Sequence, residues 1–196
     1  MEFLELLKTG RPVLLDGGMG TMLQARGLPV GAVPELTALE HPDWLLDIHG
    51  AYLEAGSQVI YANTFGANRE KLAHCGRTVE EIVPAAVSAA KQAAQKYGAL
   101  VALDVGPTGQ LLEPTGTLEF ETAVDIFAQV VKAGAAAGAD LIVIETMTDL
   151  QEARAALLAA KENCALPVVV TMTYEATGRT FLGCSPAAAA LTLEGM

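Results

Sequence analysis

Basic residues are scarce in this chain: 12 Lys and Arg stand against 23 Asp and Glu among 196 residues, for a formal charge of -11. That acidic excess repels phosphate backbones and anionic lipid surfaces, so neither nucleic acid nor a membrane is an expected partner. No apolar run approaches the roughly 18 residues that span a bilayer. The first ten residues carry Glu2 and Glu5 within a short apolar pattern, which reads as a short leading helix and not as a secretory signal. The three cysteines, Cys75, Cys164 and Cys184, are odd in number and far apart, so no disulfide framework is implied and a cytoplasmic location is the expectation. Neither C-x-x-C nor H-x-x-x-H spacing occurs among the cysteines and His41, His49 and His74, so no self-contained metal site is expected. A Ser-His-Asp or Cys-His nucleophile pair is also missing. Aromatics make up only 5% of the chain.

What the chain does have is apolar residues, 52% of the total and rich in alanine, enough for one packed domain. Five short apolar runs with little alternation read as parallel strands buried on both faces: Val13 to Asp16, Gln58 to Ala62, Ala99 to Asp104, Asp140 to Glu145, and Val168 to Thr173. Helical patterns fall between them. Leu45, Ile48, Tyr52 and Ala55 share one face, with Pro42 suited to the first turn and Gly56 to the stop. Thr78 and Glu81 form a capping-box pattern, and Pro84 is expected to shift or kink the helix that follows. Phe120, Val124, Phe127 and Val131 make a stripe, with Thr117 as its cap and Glu119 and Glu121 in its first turn. Thr148 and Gln151 open the next helix, and Pro186 begins a last one.

The order is β-α repeated five times, which fits either an open doubly wound sheet or a closed barrel. The sequence stops just after a helix, and a five-strand barrel piece would leave two unpaired edges. The expectation is therefore a chain incomplete at its C-terminus.

The polar strand ends carry the chemistry. Asp16, Asn63-Thr64, Asp104 and Glu145 each end an apolar run, and in parallel β/α folds those ends share one face. Asp16-Gly17-Gly18-Met19-Gly20-Thr21 offers consecutive amides that could hold a carboxylate or phosphate; a plain tight turn explains the glycines equally well. The spacing matches neither G-x-G-x-x-G nor a P-loop. Gly106-Pro107-Thr108-Gly109 reads as a turn.

These residues resemble a known family. Leu15 to Thr21, Tyr61-Ala62-Asn63-Thr64-Phe65-Gly66-Ala67-Asn68, Asp104 to Gly109 and Ile144-Glu145-Thr146 are similar, in order, to motifs of the homocysteine S-methyltransferases, most of all to the N-terminal homocysteine-binding module of the cobalamin-dependent methionine synthases. The resemblance implies an α/β fold, a (β/α)8 TIM barrel of which residues 1–196 are the first five β/α units. It implies a substrate site formed by Asp16, Gly17, Gly18, Met19, Gly20, Asn63, Thr64, Phe65, Asp104 and Glu145. It also implies a Zn2+ ion on the homocysteine thiolate, with cysteine ligands expected beyond Met196, so none of Cys75, Cys164 and Cys184 is given that role. Cobalamin and 5-methyltetrahydrofolate would be carried by other modules of the same polypeptide or by a partner. Gly183-Cys184-Ser185-Pro186 departs from the family's usual turn. Two alternatives are a cobalamin-independent relative using S-methylmethionine, S-adenosylmethionine or betaine, and an inert fragment acting only as a binding or folding unit. A third, an aldolase-like or phosphate-binding barrel, lacks a strand ending in lysine.

Overall fold

The computed structural model describes residues 2–196. In chain order the elements are α1 (Phe3–Lys8), α2 (Met19–Ala25), a 3-10 turn at Pro34–Leu36, α3 (Thr37–Glu40), α4 (Pro42–Glu54), β1 (Val59–Tyr61), α5 (Arg69–Leu72), a 3-10 turn at Ala73–Cys75, α6 (Val79–Gln95), β2 (Leu100–Val105), α7 (Phe120–Ala136), β3 (Leu141–Met147), α8 (Leu150–Asn163), β4 (Val168–Met172) and α9 (Pro186–Glu194). The four strands form one parallel sheet in sequence order. Parallel neighbours need a crossover, and α6, α7 and α8 supply it.

The period of two along each strand decides what faces where. Ile60, Val101, Leu103, Val105, Ile142 and Ile144 pack into the large core against the helices. The alternate residues Val59, Leu100, Ala102, Leu141 and Val143 cluster on the opposite face with Phe3 and Leu6 of α1, which covers that end of the sheet. Continuing the alternation, Tyr61, Asp104 and Glu145 are the last positions on this second face. Their convergence is thus a consequence of strand length and register, with Asp104 opposite Val143. Gly134 lets α7 lie close against the sheet, since a Cβ there would lie 2.5 Å from Leu103.

The expected segment Val13 to Asp16 forms only one parallel bridge, Leu15 with Val59. Asp16 N–H donates to the Val59 carbonyl at 3.1 Å, and Val59 N–H reaches the Leu14 carbonyl. The next ladder donor, Tyr61 N–H, goes to the Asp16 side chain instead, at 2.9 Å. The Asp16 side chain thereby takes the place of the next main-chain acceptor and ends the strand.

Three helix starts also differ from expectation. α6 begins at Val79 with its capping box intact, so Pro84 neither shifts nor replaces that start; the carbonyl that Pro84 cannot serve is that of exposed Glu80. Glu119, not Thr117, occupies the N-cap of α7, because Leu112 and Leu118 are bridged and hold the preceding turn. Asp149, not Thr148, caps α8 by accepting from Gln151 N–H at 2.8 Å. Among the described residues no helix is long and apolar enough to cross a membrane.

Candidate active site at the strand ends

A cleft of about 470 Å³ opens where the strands end, lined by Leu15, Asp16, Gly17, Gly18, Met19, Gly20, Pro34, Glu35, Tyr61, Ala62, Asn63, Phe65, Asp104, Glu145 and Thr146. Burial pushes the Asp16 carboxyl up to about 7, helped by the Glu145 charge and opposed by the Tyr61 amide bond. Burial also raises Glu145. Asp104 is 7% exposed. Burial comes first, then the charges of Glu145, Asp16 and Glu35, and together they hold its carboxyl well above the usual carboxylate range. Tyr61 is pushed up to about 12 by burial and by the same acids. This electrostatic frustration is of the kind that marks functional clefts.

Glu145 is aimed by a bulge. The β3–β4 register shifts between Ile144 and Met147, and Thr146 adopts φ 55°, a left-handed conformation that strains a β-branched residue. Thr146 N–H donates to Thr171 Oγ1 at 3.0 Å, and Thr146 Oγ1 donates to the Glu145 carbonyl at 2.8 Å. Thr146→Gly is expected to raise the unfolding free energy by about 1 kcal/mol by removing that strain. The same change should weaken any ligand that depends on Glu145, and urea unfolding paired with ligand titration checks both.

Thr64 does not line the cleft. It is 1% exposed, and its Oγ1 accepts from Asp104 N–H at 3.1 Å and donates to the Asp104 carbonyl at 2.8 Å. It fixes Asp104 from behind and is not placed to touch a ligand. Asn63 lines the cleft, but its Nδ2 donates to the Pro34 carbonyl at 2.8 Å and to Thr37 Oγ1 at 3.0 Å. Both of its amide hydrogens are therefore engaged, leaving only Oδ1 for a ligand.

Phe65 packs against Gly106, where a Cβ would lie 2.5 Å from the ring. The Lys71 ammonium lies 5.1 Å from the centre of the same ring. Burial draws Lys71 down, against the pull of Glu35, Glu152 and Asp104. Gly17 lies under the Tyr52 hydroxyl, which would sit 2.9 Å from a Cβ and which donates to the Gly18 carbonyl at 3.2 Å. α2 starts at Met19 with no side-chain cap on its first-turn amides, and Gly18, Met19 and Gly20 line the cleft.

Glu35 is the residue that sequence reasoning missed. It is 5% exposed and its Oε1 accepts from Gly66 N–H at 2.6 Å. Its one sequence signal is an acid isolated in the apolar stretch Val30 to Leu36. Glu152 was missed in the same way: its Oε1 accepts from Thr108 N–H at 2.7 Å and from Thr108 Oγ1 at 2.6 Å. That bond turns the 106–109 segment from a simple turn into an anchored loop.

The described residues hold no group of three or more His, Cys, Asp or Glu arranged for a metal ion. Each cysteine thiol instead faces a backbone carbonyl, Cys75 that of Leu72, Cys164 that of Ala160 and Cys184 that of Ser185. These three residues do not fit the zinc site that the resemblance implies.

The fold is shared with the homocysteine methyltransferase MmuM from Escherichia coli, solved in a metallated form, at a TM-score of 0.87 and 23% identity over 98% of this chain and 74% of that one. Methionine synthase from Mycobacterium tuberculosis is 29% identical over 94% of this chain and 17% of its own length. Betaine–homocysteine S-methyltransferase 1 from Mus musculus is 32% identical over 86% of this chain and 42% of its own. The chain thus spans less than half the length of either of these relatives. The sheet is the parallel sheet of the TIM barrel, and the chain covers part of that barrel. The profile of the homocysteine S-methyltransferases matches residues 13–196, and the chain belongs to that family of methyltransferases.

Proposed function

We propose that the cleft is the amino-acid-recognition part of a homocysteine S-methyltransferase, which binds homocysteine as its zwitterion. The observation that carries this reading is the meeting of Asp16, Asp104 and Glu145, from three strand ends, with the uncapped start of α2 in one cleft. The carboxyls suit the substrate's ammonium. The amides of Gly18, Met19 and Gly20 suit its carboxylate. Phe65 and Tyr61 give the side-chain methylenes an apolar wall. A hydrogen bond to a charged group contributes roughly 1.5–3 kcal/mol. Glu145→Gln is therefore expected to weaken homocysteine binding at least about tenfold. Calorimetric titration of the full chain tests this, and unchanged affinity would remove Glu145 from the site.

Methyl transfer forms a sulfur–carbon bond as the donor–methyl bond breaks, and it needs the sulfur as a thiolate. The zinc implied for that task has no fitting ligand set among the described residues, so these residues account for recognition and not for sulfur activation. The methyl donor is read as cobalamin recharged by 5-methyltetrahydrofolate on other modules, as the similarity to methionine synthase supports. Betaine is the second reading, supported by the 32% identity to the mouse betaine enzyme. Activity with each donor in turn separates them.

A further inference from the structure

We propose that Asp104 stands in the ligand-free protein as a neutral carboxylic acid and ionises when the substrate's ammonium enters, so that amino-acid binding expels a proton. The inference rests on the cleft being an amino-acid site and deepens the part that Asp104 plays there.

The Asp104 backbone is held in place beside its acidic neighbours. Both its backbone N–H and its carbonyl are tied to Thr64 Oγ1. Its side chain is in the cleft wall, yet Oδ1 is sealed from solvent and has no hydrogen-bond partner among the described residues. The groups that face it are of the wrong sign for a carboxylate: Asp16 from segment 13–16, Glu35 from the 3-10 turn, and Glu145 from β3. Tyr61 of β1 adds a phenol of the same polarity when ionised. Lys71 of α5 is the cation on this side, and none of the ion pairs among the described residues includes it. Lys71 acts on Asp104 from a distance and against three like charges. A buried charge with no directly paired counter-charge and an incomplete set of donors is costly, and such a group keeps its proton instead.

An entering ammonium supplies both missing things, an opposite charge and N–H donors. The exchange balances simply: the carboxylic acid loses its proton to solvent, the carboxylate remains, and it pairs with the ammonium, which keeps all of its own protons. No bond to carbon forms or breaks. Asp16 takes part in the same linkage near neutrality, since its carboxyl lies at about 7. At pH 8 it is roughly nine-tenths ionised before any ligand binds. Glu145 is raised by burial alone, whereas burial and three like charges act together on Asp104, which makes Asp104 the principal source of the proton.

The test is calorimetry of the full chain with L-methionine at pH 8, in buffers of different ionisation enthalpy. Methionine has no thiol, so sulfur ionisation cannot contribute. The wild type should release about one proton per molecule bound. Asp104→Asn should bind several-fold more weakly and release only a small fraction of a proton. Equal release by both proteins, or none by the wild type, overturns the proposal. If no amino acid binds either protein, the amino-acid reading itself fails. The carboxyl carbon of Asp104, followed by NMR in the ligand-free protein, decides the protonation state independently: a midpoint near the ordinary value of about 3.9 would also overturn it.

Discussion

Glu35→Ala is expected to lower the unfolding free energy by about 3 kcal/mol and to loosen the loop that carries Asn63 and Phe65. The 2.6 Å bond from Gly66 N–H to Glu35 Oε1 is buried. Truncation removes a hydrogen bond to a charged group, leaves a buried N–H unsatisfied, and opens a small void. The neighbouring bonds from Asn63 to Pro34 and Thr37 run between the same two segments, so the loss is felt across the whole tether. Glu35→Gln keeps an acceptor of the same shape and should cost less. A double-mutant cycle gives the sharper result. A Cβ on Gly66 would lie 2.6 Å from Glu35 Oε1, so Gly66→Ala alone should cost about 2 kcal/mol by expelling that oxygen. Once Glu35 is alanine the added methyl has room, and the double variant should be no less stable than Glu35→Ala alone. Strict additivity in urea unfolding would show that the two residues do not act through this contact.

This pair also shows where sequence reading reaches its limit. The strand ends Asp16, Asp104 and Glu145 were legible because apolar runs of the right length stop at them, and period-two alternation then puts the last inward residue of each run on one face. The capping box at Thr78 and Glu81 and the position of Pro42 were legible because they depend on residues within one turn of each other. Glu35 is different. Its partner lies 31 residues away, and nothing in its own neighbourhood announces a hydrogen bond to a loop amide. Thr64 was visible as a polar strand end, but its hydroxyl turns to the Asp104 backbone, which only the paired strand reveals. The bulge at Thr146 is not legible in the sequence, because a β-branched residue gives no sign of positive φ. The short first strand follows from a choice between two acceptors for Tyr61 N–H, a main-chain carbonyl and the Asp16 carboxyl, which composition cannot rank.

The acids of the cleft and one histidine outside it should give stability opposite dependences on pH. A carboxyl raised in the folded state, as Asp16 is to about 7, binds its proton more tightly folded than unfolded. Its contribution therefore grows as pH falls from about 7 towards the unfolded value of 3.8. His49 works the other way. It lies on α4 with no exposed surface, and neither ring nitrogen has a hydrogen-bond partner among the described residues. Burial lowers it from 6.5 to about 4. In the window between those values the unfolded chain binds the proton and the folded one does not. The contribution is thus intact above pH 6.5 and is lost as pH falls towards 4, by about 3 kcal/mol over the whole window. Because the cleft acids offset part of this, the wild-type profile alone conceals it, and the difference from a variant isolates it. His49→Leu puts an apolar side chain of similar size beside Leu45 and Ile48, which are themselves fully buried. It should be at least as stable as the wild type at pH 7, since it removes two unsatisfied nitrogens. Its advantage should then widen by about 2 kcal/mol between pH 7 and pH 4.5. Urea midpoints of the two proteins at those two pH values measure the gap directly. A gap that does not change would mean that His49 takes up its proton without unfolding the helix face it packs on.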